Sequence, residues 1–539
     1  MRIFKRLIAA SLSCIILAGC AGSDPSGGSQ QDNASQSSSS SQQSSGGSND
    51  QPDIGKELPV LAIETVSKEA NAMDFVTKPV NKYVAKSIAS WTPGYKIPPE
   101  PYYEACTVKL TDKDGTVAFS DAAAQIKVRG NWTTKNSKKP LRIKFDEKQS
   151  MLSLNGGEKM KNWVLLAEYK DVSMLRNKTA LQIAKELFAD DGLYSADSQF
   201  VEVTINGEYW GMYLLTEQQQ INKHRINITK PEEGYTGTDI GYFLEFDGNY
   251  KNEDKLNQFI VSYHGNDPLT PYDGEGGNGR TITPLKGKNQ DKREIVGFSI
   301  KSDIYSQEQN DFIKSFMNNV YNIMYEAAYN HKAFVFNESY TDISEASGVT
   351  PEEAVRKVVD VDSLADAYIL AELTCDADLY WSSFFMDVDF SKDGAKKLVF
   401  EAPWDFDSAL GNKDRCASGE GYYAANILHD VNNAYTCVNP WLTVLMYEDW
   451  FTDIIREKWT SAYDSGIFTR AGEMIDKDSR ELEAAFERNY DRWDNIRHND
   501  DAGEWCWASA ACKTEREAAV YLKDWLEKRV DFMNGCWHK

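Results

Sequence analysis

Apolar and polar residues alternate in short runs through the first part of the globular sequence, and a two-residue period predicts strands. Within residues 56–152 the clearest runs are Gln125-Ile126-Lys127-Val128-Arg129 and Leu141-Arg142-Ile143-Lys144-Phe145. Farther along, apolar-rich runs at 200–205 and 209–215 flank Asn206-Gly207, a pair that a tight hairpin turn favours. Residues 242–246 read as one more strand. The period then lengthens toward 3.6. Asp171 is placed to cap a helix over 172–188, with Leu175, Ala180, Ile183, Ala184 and Leu187 as its apolar stripe. Amphipathic helices are predicted over 311–329 and 362–374, then a short strand pair, 384–390 and 397–401. The rest, from about 420 to 539, reads as helical, with Trp and Tyr filling core. Residues 265–292, rich in Gly, Asp and Asn, read as a polar surface insertion. No internal repeat is present. The pattern predicts an α+β protein with a sheet-rich N-terminal lobe and a helix-rich C-terminal lobe.

The first 53 residues do not share this pattern. Arg2, Lys5 and Arg6 precede a short apolar stretch ending in Leu17-Ala18-Gly19-Cys20. The stretch is too short to span a bilayer stably and has the organisation of an export signal. Small residues before a cysteine resemble the lipobox of bacterial lipoproteins, which implies diacylation of Cys20. Residues 21–53 are mostly Ser, Gln, Gly, Asn and Asp. They have too few apolar side chains to offset their chain entropy, so they read as a flexible tether with a reach of roughly 30 Å. The expected location is therefore the outer side of the cell membrane, held there by lipid alone, with residues 54–539 as the folded domain.

Charge narrows the choice of partners. The 539-residue chain has 59 basic and 82 acidic side chains, a net charge of −23, which argues against a nucleic-acid partner. Beyond Cys14 and Cys20 lie Cys106, Cys375, Cys416, Cys437, Cys506, Cys512 and Cys536. The pairs 416/437 and 506/512 are close enough to join, and buried free thiols are the plain alternative.

Three clusters bear on chemistry. Lys127 and Arg129 share one strand face, and Arg142 and Lys144 share a face of the next strand. With Lys135, Lys138 and Lys139 they form a basic patch in an acidic protein, suited to phosphate. The bland alternative is a solvated strand face. Asp405 and Asp407, in Pro403-Trp404-Asp405-Phe406-Asp407, are hard oxygen donors beyond an apolar run, suited to Mg²⁺ or Mn²⁺. Asp376-Ala377-Asp378 follows a helix end, where a carboxylate either caps or orients a hydroxyl. Cations, a metal-holding carboxylate and a separate carboxylate base are what phosphoryl transfer requires. The P-loop, the histidine–arginine–aspartate kinase triplet and the hydrolase nucleophile elbow are all absent. Gly274-Glu275-Gly276-Gly277-Asn278-Gly279 matches a dinucleotide fingerprint, but no apolar strand leads into it.

At this point the chain resembles the CotH kinase family over residues 125–412. Five blocks come in the family's order: KVRGNWTT with KKPLRIKF, WVLLAEYKDVSMLRNKTALQIAKEL, FVEVTINGEYWGMYLLTEQ, ADAYILAELTCDADLYWSSFFM and PWDFDSALGN. The resemblance implies an atypical protein-kinase-like fold. It also implies metal-dependent transfer of phosphate from ATP to Ser or Thr of a protein substrate. On the matching positions, Asp378 is the catalytic Asp, Asp405 the metal-binding Asp and Asp407 its helper. Lys144 is the implied nucleotide lysine, assisted by Arg129 and Arg142. Glu217 or Glu245 is its acidic partner. Two positions depart from the family: Asp376 replaces an Asn and Trp132 a Ser. The alternatives are a kinase-like scaffold used for binding or adhesion at the cell surface, where ATP is scarce, and a metal-dependent phosphohydrolase.

Overall fold

The structure, a computed structural model, describes residues 53–285, 295–413, 417–430, 435–494 and 506–539. The signal, Cys20, the tether and Cys416 lie outside the described residues.

The alternating segments close into a seven-stranded barrel in the order β1-β2-β3-β4-β5-β7-β6. Its strands are β1 (Val60–Thr65), β2 (Glu104–Thr111), β3 (Val117–Val128), β4 (Leu141–Gln149), β5 (Met160–Leu166), β6 (Ser198–Ile205) and β7 (Glu208–Glu217). Neighbours run antiparallel except at the closure, where β1 lies parallel to β6 with Leu61 opposite Val203. Closure leaves no bare edge to attract another strand. Alternation decides the faces. Ile126, Val128, Leu141 and Ile143 join the barrel core, which turns the charged residues between them outward. Two helices, α1 (Asp74–Thr77) and α2 (Lys82–Trp91), occupy the β1–β2 connection. The predicted hairpin is present, and Asn206 and Gly207 both take positive φ, 52° and 77°, as its tight turn needs.

The helix expected over 172–188 is shorter: α3 is Arg176–Leu187. Met174, at φ 57°, is left-handed and cannot continue a right-handed helix. Asp171 still serves the entry, accepting from the backbone N–H of Ser173 at 2.9 Å and of Arg176 at 2.8 Å.

The second part has its own core and its own sheet. The sheet is ordered β13-β8-β10-β9, from β8 (Gly241–Asp247), β9 (Gln258–Phe259), β10 (Gly297–Ile300) and β13 (Phe384–Asp389). Between these lie α4 (Tyr263–Asn266), α5 (Gln307–Asn330), the hairpin β11 (Phe334–Phe336) with β12 (Ile343–Glu345), α6 (Pro351–Arg356) and α7 (Val361–Thr374). Ser306 and Gln309 form a capping box on α5, and Asp360 caps α7. The strand expected at 397–401 does not form a ladder. It alternates between partners, with single bridges Val359–Leu398 and Asp387–Val399. The C-terminal part is helical as expected: after β14 (Leu428–Asp430) and β15 (Tyr435–Cys437) come α8 (Pro440–Thr443), α9 (Asp449–Asp464), α10 (Ile467–Glu481), α11 (Glu483–Arg492), α12 (Trp507–Ala511) and α13 (Glu515–Trp537). Beside these helices the second part carries the four-stranded sheet, in which the strands expected at 242–246 and 384–390 are β8 and β13. Cys506 and Cys512 are separate thiols.

Candidate active site

A cleft of about 1230 Å³ is lined from the barrel on one side and from the second part on the other. Its basic wall comes from the outer face of β3 and β4, where Lys127 is paired across the strands with Arg142. Arg129 follows at the end of β3 and lies 5.4 Å from the Trp404 ring, over its face. Burial lowers the pKa of Arg129, and Asp405 opposes that shift, so the guanidinium stays a cation facing the carboxylates. Gly130, at φ 100°, turns the chain sharply out of β3, and any Cβ there would meet the Thr133 hydroxyl.

The acidic floor comes from two loops. After α7 the chain turns through Cys375, left-handed at φ 48°, and puts Asp376 and Asp378 at different depths. Asp378 lines the cleft. Asp376 is buried beneath it and accepts from the Asp378 N–H at 3.0 Å and the Ser408 hydroxyl at 3.1 Å. Burial, then the charge of Asp378, pushes the Asp376 carboxyl well above the ordinary range. In the second loop Asp405 takes φ 72°, a left-handed conformation that a non-glycine residue holds only where its surroundings enforce it. Burial is the main reason that Asp405 is pushed well above the usual carboxylate range, and Asp407 and Asp378 add repulsion that Arg129 only partly offsets. Asp407 is raised by burial as well, against Lys170 and Lys413.

Asn177 of α3 enforces the second loop. Its Oδ1 accepts from the Phe406 N–H at 2.8 Å, and its Nδ2 donates to Glu168 at 2.9 Å. Glu168 is itself left-handed, at φ 51°, lines the cleft, and is driven upward in pKa mainly by burial. Asn412 Nδ2 donates to the carbonyls of Asp407 and Lys170, while its Oδ1 accepts from Ser509 at 2.8 Å, so the helix α12 helps fix the loop. Lys138 lines the same cleft; burial lowers its ammonium to about 7, and it donates to the Met212 carbonyl.

Most of the expected site is brought together: Arg129, Arg142, Asp378, Asp405 and Asp407 line one cleft. Two residues are not. Lys144 is exposed on β4 and outside the cleft lining. It pairs with Asn162, two positions before the cleft-lining Val164 on β5, so the strand carries it away from the site. Glu217 is buried in the barrel end, ion-paired with Arg225 at 2.8 Å and accepting from Asn155 at 2.7 Å. Its alternative, Glu245, does line the cleft and pairs with Lys301 at 2.8 Å. The Gly274–Gly279 segment lies outside the cleft and folds around the Asp273 carboxylate. Sequence reading missed Glu168, Asn177, Lys170 and Lys301. Only Glu168, an acid just past the apolar run of β5, left a signal of the kind used for Asp405.

Among the described residues, no group of three His, Cys, Asp or Glu side chains stands ready as a metal cage. That set still fits magnesium, which takes one or two protein carboxylates and completes its shell with phosphate oxygens and water. Asp405 and Asp407 are such donors: each is repelled by Asp378, with Arg129 opposing that at Asp405 and Lys170 and Lys413 at Asp407.

A barrel and an α/β body share a cleft with cations on one wall and carboxylates on the floor, in a protein of mixed α/β class. The family described as CotH kinase protein matches residues 126–533, and the chain belongs to that family. The match runs well past residue 412, through the helices that pack on the loop of Asp407. No match was found among the curated proteins. Among the described residues no helix is long and apolar enough to cross a membrane.

Proposed function

We propose that this protein is a lipid-anchored, extracytoplasmic kinase that transfers the γ-phosphoryl group of ATP to a Ser or Thr hydroxyl of a surface or secreted protein. The observation that carries the reading is the convergence of Asp378, Asp405 and Asp407 opposite Arg129 and Arg142 in one cleft. Arg129, Arg142 and Lys127 bind phosphate oxygens and hold the nucleotide in line. Asp405 and Asp407 would hold the divalent cation. A bound cation supplies charge neutralisation at the phosphates. Asp378 orients the acceptor hydroxyl and takes its proton as the oxygen bonds to phosphorus and ADP leaves. Lys301 and Glu245, paired beside the cleft, keep that wall polar.

The supporting experiment incubates the purified protein with γ-labelled ATP and Mg²⁺ or Mn²⁺, alone and with co-expressed surface proteins. Label on Ser or Thr supports the reading. Label released only as inorganic phosphate favours a phosphohydrolase. Nucleotide left intact, with no label moved, favours a binding scaffold.

A further inference from the structure

The family match begins at residue 126, yet part of the cleft mouth is built by residues before it. The connection between β1 and β2 supplies α2, whose Asn81 and Lys82 line the mouth together with Tyr83 and Trp91. Asn81 anchors the helix to the barrel loop: its side chain caps α2, and its backbone N–H donates to Thr134 at 2.9 Å. At the same end of the helix the Tyr83 hydroxyl donates to the Asn252 carbonyl at 2.8 Å, beyond the cleft. The helix therefore bridges the opening.

Its outer surface is unusual for a folded domain. Trp91 is 60% exposed and Trp132 41% exposed, and the two rings stack, 6.0 Å apart and 8° from parallel. Neither is needed for the core, and a large exposed aromatic pair marks a contact surface. The surroundings are cationic. Lys82 and Lys86 lie one turn apart on α2, Lys135 sits over the Trp132 ring at 5.6 Å, and the acid beside them is Glu100, ion-paired with Lys82 at 3.6 Å. In a chain of net charge −23 this is a local positive patch.

We propose that α2 and the Trp132 turn form an acceptor-docking platform that takes an acidic, apolar-flanked segment of the protein being modified. This rests on the kinase reading for the word acceptor. The aromatic rings take apolar side chains of the segment, and the lysines take its carboxylates. Placed at the mouth, the platform selects which hydroxyl reaches Asp378 without touching the reacting atoms.

Binding is read separately from transfer, by fluorescence anisotropy of two labelled Ser-containing peptides. One has Glu and Leu flanks and the other Lys and Ser flanks. Wild type should bind the acidic peptide at least about tenfold more tightly. Trp91→Ala/Trp132→Ala should weaken that binding by about 30-fold, the usual loss when an aromatic anchor is truncated. Lys82→Glu/Lys86→Glu, on exposed positions of the helix, should reverse the preference. ATP affinity should be the same in all three proteins. Equal binding of the acidic peptide by wild type and both variants overturns the proposal, as does a wild-type preference for the basic peptide. A loss of ATP affinity in the Trp variant also overturns it, by assigning the rings to the nucleotide. The expected peptide pattern with no phosphoryl transfer by wild type leaves the platform standing and removes the kinase reading.

Discussion

Asp376 and Asp378 stand two positions apart and do different work. Asp378 faces the cleft, while Asp376 lies under it and accepts two hydrogen bonds. Accepting needs an oxygen but no charge. Asp376→Asn keeps the oxygen and removes a buried carboxyl, so phosphoryl transfer should hold at wild-type level or rise. Asp378→Asn should cut transfer by about 10²–10⁴-fold with ATP affinity little changed. The reverse ranking in a side-by-side assay would contradict the assignment. A second comparison tests the basic wall. Arg129 faces Asp405 across the cleft, whereas Lys144 is carried outward along β4. Arg129→Ala should weaken nucleotide binding by roughly tenfold or more, the scale of a lost charge-assisted contact. Lys144→Ala should leave the titration curve unchanged. A loss with Lys144→Ala and none with Arg129→Ala would return the nucleotide to the β4 face.

At the scale of elements, period was the most legible feature. The hairpin β6–β7, the helices α5 and α7 and the strands β3 and β4 follow from local alternation and capping, and all are present. Closure of the barrel was not legible, because β1 pairs with β6 and no local signal encodes a partner that distant. Register explains why Lys144 lies outside the cleft lining. Alternation assigns a residue to a face, but its distance along the strand from the site depends on pairing. The motif Asp405-Phe406-Asp407 was legible as a pair of carboxylates in one loop, while the Asn177 clamp that holds its shape was not, since it joins residues far apart in sequence. Helix packing also carries a pH dependence. Glu515, in the first turn of α13, is buried against α10, where it accepts from the Ser479 hydroxyl at 2.8 Å. Burial raises its carboxyl to about 8 from the usual 4.5. Between those values the folded protein holds a proton that the unfolded chain has lost, so stability falls as pH rises. Glu515→Gln should remove about 1–3 kcal/mol of the fall in urea-unfolding stability between pH of about 5 and about 8.5. An identical pH slope in wild type and variant would contradict this.

At the scale of the whole molecule, the proposed catalysis and the proposed attachment are separable. The Leu-Ala-Gly-Cys stretch and the polar segment after it, which the sequence reading takes as the end of an export signal and a tether, lie outside the described residues. If Cys20 is acylated, wild type should fractionate with membranes, and Cys20→Ser should release the protein or block its processing. One acyl chain binds membranes only marginally, so firm retention requires more than one. Wild type found in the soluble fraction, with its N-terminus beyond Cys20, would contradict anchoring and leave the cleft chemistry untouched. In the proposed reading that chemistry depends on a cation, which Asp405 and Asp407 would hold despite their mutual repulsion. The most direct test measures label transferred from γ-labelled ATP by wild type and by Asp405→Asn, with Mg²⁺ present and after its removal by chelation. The account predicts transfer by wild type with Mg²⁺ only, and none above background from Asp405→Asn, which should still fold. Transfer by wild type that survives chelation, or equal transfer by the variant, would contradict it.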